Sequence, residues 1–168
     1  VRPGTLRWVN SLGRLSVDPA GKRYRIMGVS IDVTDRKVTE LHLSESRTLL
    51  AALVDSTSDL IWSVDAERFG LLTFNRGLSD YFLTQRGIRI AAGMRPEDLF
   101  PPGEFVQTWR TFYLRALQEG SYSTEYRVYA GTRTLLLNLN RLERGGDVFG
   151  VSVFGKDITE RKAMEARL

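Results

Sequence analysis

A six-residue phrase occurs twice in this chain, 125 residues apart. It reads Asp32-Val33-Thr34-Asp35-Arg36-Lys37 and then Asp157-Ile158-Thr159-Glu160-Arg161-Lys162. Four of the six positions are identical, and the other two are Val/Ile and Asp/Glu exchanges. Each copy follows an apolar run, at 28–31 and at 148–154. Solenoid repeats recur every ~20–50 residues, so a period this long is that of a whole domain duplicated in tandem. The phrase also has a local reading. Thr34 and Thr159 are suited to cap a helix by accepting a bond from an orphan amide of its first turn. Asp35 and Glu160 then fall at the first helical position, where a carboxylate suits the positive end of the helix dipole. Each copy therefore predicts a strand handing over directly to a helix.

The rest of the chain parses around these two joints. Residues 6–15 and 24–31 are strand-like and flank the turn signal Asp18-Pro19-Ala20-Gly21, predicting a hairpin that by itself is marginal in water. No Pro or Gly interrupts 35–54, where Thr39, Leu43, Ser46, Leu50 and Leu53 recur at intervals of four, three, four and three. That spacing is a coiled-coil seam. It serves equally for packing within the chain or for pairing with a second copy. The polar break at 55–59 ends this helix, and strands are predicted at 60–64 and 71–74. Asn75 is a candidate cap for a short helix behind them. After a Gly/Pro-rich stretch (85–102), residues 104–118 form an amphipathic helix stopped by Gly120. Three strands follow, at 122–129, 134–142 and 148–158. Their tight connections are Ala130-Gly131 and Gly145-Gly146.

Composition narrows the chemistry. There is no cysteine and one histidine, His42. Disulfides, thiolate metal sites and cysteine nucleophiles are thereby excluded, and no Ser/His or Cys/His triad can be assembled. Glu97 and Asp98 sit among prolines and read as helix-start residues. No phosphate-binding glycine loop is present. The expectation is that the chain is not an enzyme. The net charge of +4 comes from arginines scattered along the chain, with one cluster at Lys22-Arg23-Tyr24-Arg25, a pattern of a solvated face that argues against nucleic-acid binding. No apolar run approaches the ~20 residues of a membrane span, and the first residues do not form a signal peptide. A cytoplasmic location follows as the expectation, though a parent protein can be anchored through other segments.

The segments 28–37 (Gly-Val-Ser-Ile-Asp-Val-Thr-Asp-Arg-Lys) and 154–162 (Phe-Gly-Lys-Asp-Ile-Thr-Glu-Arg-Lys) resemble the carboxyl-terminal ends of PAS domains, the sensory modules of bacterial signalling proteins. The order of two strands, a helical middle and three strands fits that resemblance. It implies an α+β fold, a five-stranded antiparallel sheet with helices on one face. Residues 1–32 would be the last strands of a preceding PAS domain and 33–55 a coiled-coil-like linker helix. A complete PAS domain would then occupy 46–159, and 160–168 would begin the next linker. Asp32, Thr34, Asp157 and Thr159 become the joints through which a signal leaves each sheet. The implied function is a sensory or relay module of a signal-transduction protein. Its parent would be a sensor histidine kinase or, second, a cyclic-dinucleotide enzyme. The implied partners are a second copy and flanking PAS and effector domains. The alternative is a structural dimerisation module that binds nothing.

PAS domains hold ligands between the concave sheet and the helices. The missing cysteine rules out the flavin adduct of LOV photoreceptors and the cysteine-anchored chromophore of photoactive yellow protein relatives. The absence of histidine from the long helix argues against haem, and Met94 lies in a Gly/Pro-rich loop. No resident cofactor or metal is expected; non-covalent flavin stays open, and so does a small organic ligand. Strand alternation, set against the LOV arrangement, places Trp62, Val64, Leu72, Phe74 and Leu137 on the inner face, with Leu135 and Leu139 beside Leu137. Trp109 and Tyr113 join them from the helix. The same comparison places Ser152 and Phe154 inward on the last strand, and Glu125 and Arg127 inward on the third, with Tyr126 and Val128 outward. Glu125 and Arg127 would then pair with each other or hold a polar ligand. A packed core with no ligand is the competing reading.

Overall fold

The computed structural model describes residues 4–20, 24–128 and 131–168. Gly21, Lys22-Arg23 and Ala130, on which the hairpin turn, part of the basic cluster and one tight connection fall, lie outside the described residues. The chain divides into two compact units, 1–50 and 51–168.

In the first unit β1 (Val9–Val17) pairs antiparallel with β2 (Tyr24–Asp32), in a register that sets Val9 opposite Asp32 and Gly13 opposite Gly28. A Cβ on Gly28 would lie 2.6 Å from the Leu12 carbonyl oxygen, so the two backbones can approach only because that residue is glycine. Every residue of β1 is exposed, and so are the apolar side chains Ile26, Val29 and Ile31 of β2. Helix α1 (Thr34–Asp55) begins directly after β2. It matches the uninterrupted helical stretch of the sequence and buries none of its residues.

The second unit carries the sheet. Strands β3 (Leu60–Asp65), β4 (Leu71–Phe74), β5 (Ser121–Val128), β6 (Arg133–Arg144) and β7 (Asp147–Asp157) lie in the order β4-β3-β7-β6-β5, and every neighbouring pair is antiparallel. Between β4 and β5 run α2 (Arg76–Arg86), the single turn α3 (Pro96–Leu99) and α4 (Glu104–Glu119); α5 (Thr159–Glu165) follows β7. The expected α+β architecture is the observed one. Among the described residues no helix is long and apolar enough to cross a membrane.

Pairing decides which side of each strand is buried. Trp62 stands opposite Val153, which stands opposite Leu139, which stands opposite Tyr122. Directly paired residues share a face, so one continuous row runs across four strands. Val64, Leu137, Leu139, Val151 and Val153 have at most 1% of their surface exposed. Helix α4 covers this face with Val106, Trp109, Tyr113 and Ala116, spaced three, four and three apart.

Three expected faces are corrected. On β7 the inward residues are Val151 and Val153, while Ser152 pairs with Ser63 on the other side and Phe154 is 41% exposed. On β5 the inward residues are Tyr122, Tyr126 and Val128, while Glu125 and Arg127 are exposed. On β4 Leu71, not Leu72, is buried, because a bulge between Ser63 and Val64 sets Val64 opposite Leu71. In β5 the period-two pattern Tyr122, Tyr126, Val128 matches the inner face, and alignment with LOV strands is off by one residue there. In β7 apolar residues occupy both faces, and only the Trp62–Val153 pairing separates them.

Candidate ligand cavity and signal-transfer joints

Between the inner face and the helices is a cavity of about 380 Å³. This is the lower part of the ~300–1,000 Å³ range of small-molecule pockets. Its floor is Trp62 and Val64 of β3 and Leu135 of β6, and α4 contributes Trp109 and Tyr113. Of the residues expected there, Trp62, Val64, Trp109 and Tyr113 come together. Phe74 and Leu137 point inward but pack in the core beyond the cavity. Arg127 borders the cavity with an exposed side chain, whereas Glu125, Ser152 and Phe154 do not line it. Glu125 instead pairs with Lys162 of α5 at 2.7 Å.

Aromatic rings dominate the walls. Trp62 and Trp109 meet edge to face, with centroids 5.5 Å apart, and the Trp62 indole N–H donates to the Tyr113 hydroxyl at 3.0 Å. Burial pushes the Tyr113 hydroxyl far above its ordinary pKa, so it stays protonated throughout the physiological range. Phe69 stacks obliquely on Tyr113 from the turn after β3. It is buried at φ +60°, a conformation that side chains other than glycine seldom adopt. Asp65 holds that turn by accepting bonds from the backbone N–H groups of Glu67, Arg68 and Gly70. Burial pushes the Asp65 carboxyl up, but these amides outweigh it and keep the pKa below the usual value.

Helix α2 completes the cavity with Leu78, Tyr81, Phe82 and Arg86. No sequence signal marks these four as cavity residues beyond the helical i, i+4 spacing of Leu78 and Phe82. The Arg86 guanidinium lies 4.6 Å over the Phe100 ring, and Phe100 in turn stacks on Trp109. Asn75, the expected cap, fixes the start of α2. Its side-chain oxygen accepts from the N–H of Leu78 and of Ile61, each at 3.1 Å. Its amide donates to the carbonyls of Asp59 (2.8 Å) and Val54 (3.3 Å). Among the described residues no three His, Cys, Asp or Glu side chains gather to hold a metal ion.

The two hexads form the same device twice. The Asp32 carboxylate accepts from the Thr34 backbone N–H (3.0 Å) and hydroxyl (2.6 Å), and Asp157 accepts from Thr159 in the same way (2.9 and 2.6 Å). The Thr34 hydroxyl oxygen then accepts the Trp8 N–H at 2.9 Å, as the Thr159 hydroxyl accepts the Thr134 N–H at 3.0 Å. Val33 and Ile158 donate their N–H groups back to the carbonyls of Trp8 and Thr134. Arg7 and Arg133 reach the second carboxylate oxygens, at 2.6 and 3.6 Å. The expected capping role therefore passes from the threonine to the aspartate. The threonine instead ties the helix start to the adjoining strand. These bonds hold the Asp32 carboxyl at about 2 and depress Asp157 for the same reason, first the threonine hydroxyl, then its amide.

No protein-family model matches the chain, and a search of curated proteins finds no match. Solved structures do match. The PAS domain of BvgS from Bordetella pertussis superposes with a TM-score of 0.52 at 21% identity, over 76% of this chain and 96% of that one. This is a PAS fold. Two further solved structures align less closely. A sensory box sensor histidine kinase from Vibrio cholerae gives TM-score 0.46 at 20% identity, covering 70% of this chain and 93% of its own. The PAS domain of an HTR-like protein from Haloarcula marismortui gives 0.48 at 18%, covering 73% and 99%. In the PAS fold seen here, the cavity lies on the inner face of the sheet and one of the two joints lies at the end of its last strand.

Proposed function

We propose that this chain is a sensory or relay module of a bacterial signal-transduction protein, in which a change at the inner face of the sheet leaves through the strand-to-helix joints. The observation that carries this reading is the joint itself. Asp157 and Thr159 bind the start of α5 to β6 and β7 without an intervening loop, so a shift of these strands displaces the helix. The identical arrangement around Asp32 and Thr34 supports reading 1–32 as the closing strands of a preceding PAS unit. On that reading 33–55 is the linker helix, 46–159 the complete PAS domain and 160–168 the start of the next linker. The exposed apolar residues of β1 and β2 would be covered by the remainder of that unit. The module carries no catalytic group of its own and no resident cofactor. It works in the cytoplasm within a larger protein, a sensor histidine kinase before a cyclic-dinucleotide enzyme. The structural resemblance to a PAS domain of BvgS supports this class.

Signal transfer between such units takes place in a homodimer paired along α1. Leu43, Leu50 and Leu53 are each more than half exposed and lie on one stripe of that helix. Sedimentation of the protein with Leu43→Glu and Leu50→Glu tests the arrangement. Loss of the dimer with an unchanged circular dichroism spectrum is the expected result. A dimer that persists, or a wild type that is monomeric at high concentration, rules out the helix as the interface. The purified protein should also be colourless beyond the aromatic absorbance band, and a stoichiometric haem or flavin spectrum would contradict that.

A further inference from the structure

The cavity is apolar in its depth but uneven in charge. Among the described residues that line it, arginine is the only charged type, and no aspartate or glutamate is present. Arg86 lies half-buried over Phe100 and has no carboxylate partner among the described residues. Its place in the last turn of α2 suits the helix dipole, but that role does not require it to border a cavity. Trp109 supplies the second observation. Only 6% of the residue is exposed, and its indole N–H has no hydrogen-bond acceptor. Burial pushes the Tyr126 hydroxyl above its ordinary pKa, and Tyr81, Trp109, Arg86 and the Glu104 carboxylate all act on it, but it completes no hydrogen bond with the Trp109 N–H. One desolvated donor, three tyrosine side chains and two guanidiniums, that of half-buried Arg86 and that of exposed Arg127, thus border the same apolar space. A buried donor left empty is costly, and a ligand that brings an acceptor removes that cost.

We infer that the cavity binds an amphipathic organic monocarboxylate, its apolar body against Trp62, Leu78 and Tyr113 and its carboxylate toward Arg86 and the Trp109 N–H. This rests on the sensory reading above and specifies its ligand. Guanidinium and carboxylate match in shape and charge, and the pairing is strongest where water is displaced. An ammonium ligand would find aromatic faces but also the repulsion of arginine with no carboxylate in the lining to offset it, and a neutral alcohol would leave the guanidinium unpaired.

Three probes with one apolar body separate these cases: phenylbutyrate, phenylbutanol and phenylbutylammonium, titrated calorimetrically into the full chain. The acid should bind about tenfold more tightly than the alcohol, and the ammonium most weakly. Arg86→Met, which keeps an unbranched apolar side chain but removes the guanidinium, should reduce the acid to the affinity of the alcohol and leave the alcohol unchanged. Arg86→Lys should restore part of the preference. Binding of the acid should also move one indole N–H resonance downfield, the one that Trp109→Phe removes. Equal binding of acid and alcohol, or an acid preference that survives in Arg86→Met, overturns the carboxylate assignment while the sensory reading stands. If none of the three binds at millimolar concentration, the ligand-sensing reading falls with it.

Discussion

Asn75 is the residue whose loss the structure prices most closely. It is 1% exposed, and both halves of its side-chain amide are used. The oxygen caps α2 through Leu78 and holds the start of β3 through Ile61. The NH₂ group satisfies the carbonyls of Asp59 and Val54. Asn75→Ala removes all four bonds. At about 1 kcal/mol net for each neutral bond the sum is about 4 kcal/mol. The truncation leaves room for a water to re-solvate part of the Asp59 and Val54 side, so the expected loss is about 3 kcal/mol. This exceeds the ~1 kcal/mol typical of a helix cap alone. For a unit of this size it lowers Tm by roughly 12 °C, measurable by urea and thermal unfolding followed by circular dichroism. Asn75→Asp keeps the two acceptor bonds but turns a carboxylate oxygen onto the Asp59 and Val54 carbonyls in a buried site, so at neutral pH it should be no more stable than alanine and should gain on it as the carboxyl protonates at low pH. A loss below about 1 kcal/mol for alanine would show that the segments around Asn75 hold together without it. An aspartate variant that keeps most of the wild-type stability at neutral pH would show that the two donor bonds contribute little.

Trp62→Ala should cost about 3–5 kcal/mol in chemical unfolding, because it empties a packed aromatic site. Asn138→Ala, on the opposite face, should cost far less, and similar losses at both would refute the register. Tyr126→Ala should destabilise more than Glu125→Ala, which reverses the order expected if Glu125 faced the core. The Asp157 carboxyl is held below its ordinary pKa of about 3.9. The stability it contributes is therefore fully present above that ordinary value and is lost as pH falls through the depressed one. The gap between wild type and Asp157→Asn should be largest near neutrality and shrink below about pH 4. A gap independent of pH would mean that the charge plays no part in the joint.

How much was legible in the chain depends on the range of the interaction concerned. The joints, the long helix, the Asn75 cap and the order of the five strands rest on neighbours a few residues apart, so their signals survive in the sequence alone. The hexad by itself marks both strand-to-helix junctions. The division of labour within it was not legible, because the partner of each threonine lies far along the chain: Trp8 for Thr34 and Thr134 for Thr159.

Strand faces divide along the same line. Tyr122, Tyr126 and Val128 alternate with polar residues, and that alternation identifies the inner face of β5 without a structure. β7 offers no such choice, since Phe149, Val151 and Val153 compete with Val148 and Phe154 for the core. Pairing with β3 settles it by placing Val153 opposite Trp62 and Val151 opposite Val64. Gly150 marks the same contact, for a Cβ there would collide with the Val64 carbonyl oxygen. The cavity is the most tertiary feature of all. Its donors, Arg86 and Trp109, come from helices that the sequence does not bring together, and Phe69 reaches it through a left-handed turn residue that no periodicity announces. Local chemistry determined the elements and their joints; the packing of helices on the sheet decided which side chains face a ligand, because that choice depends on contacts between residues distant in the chain.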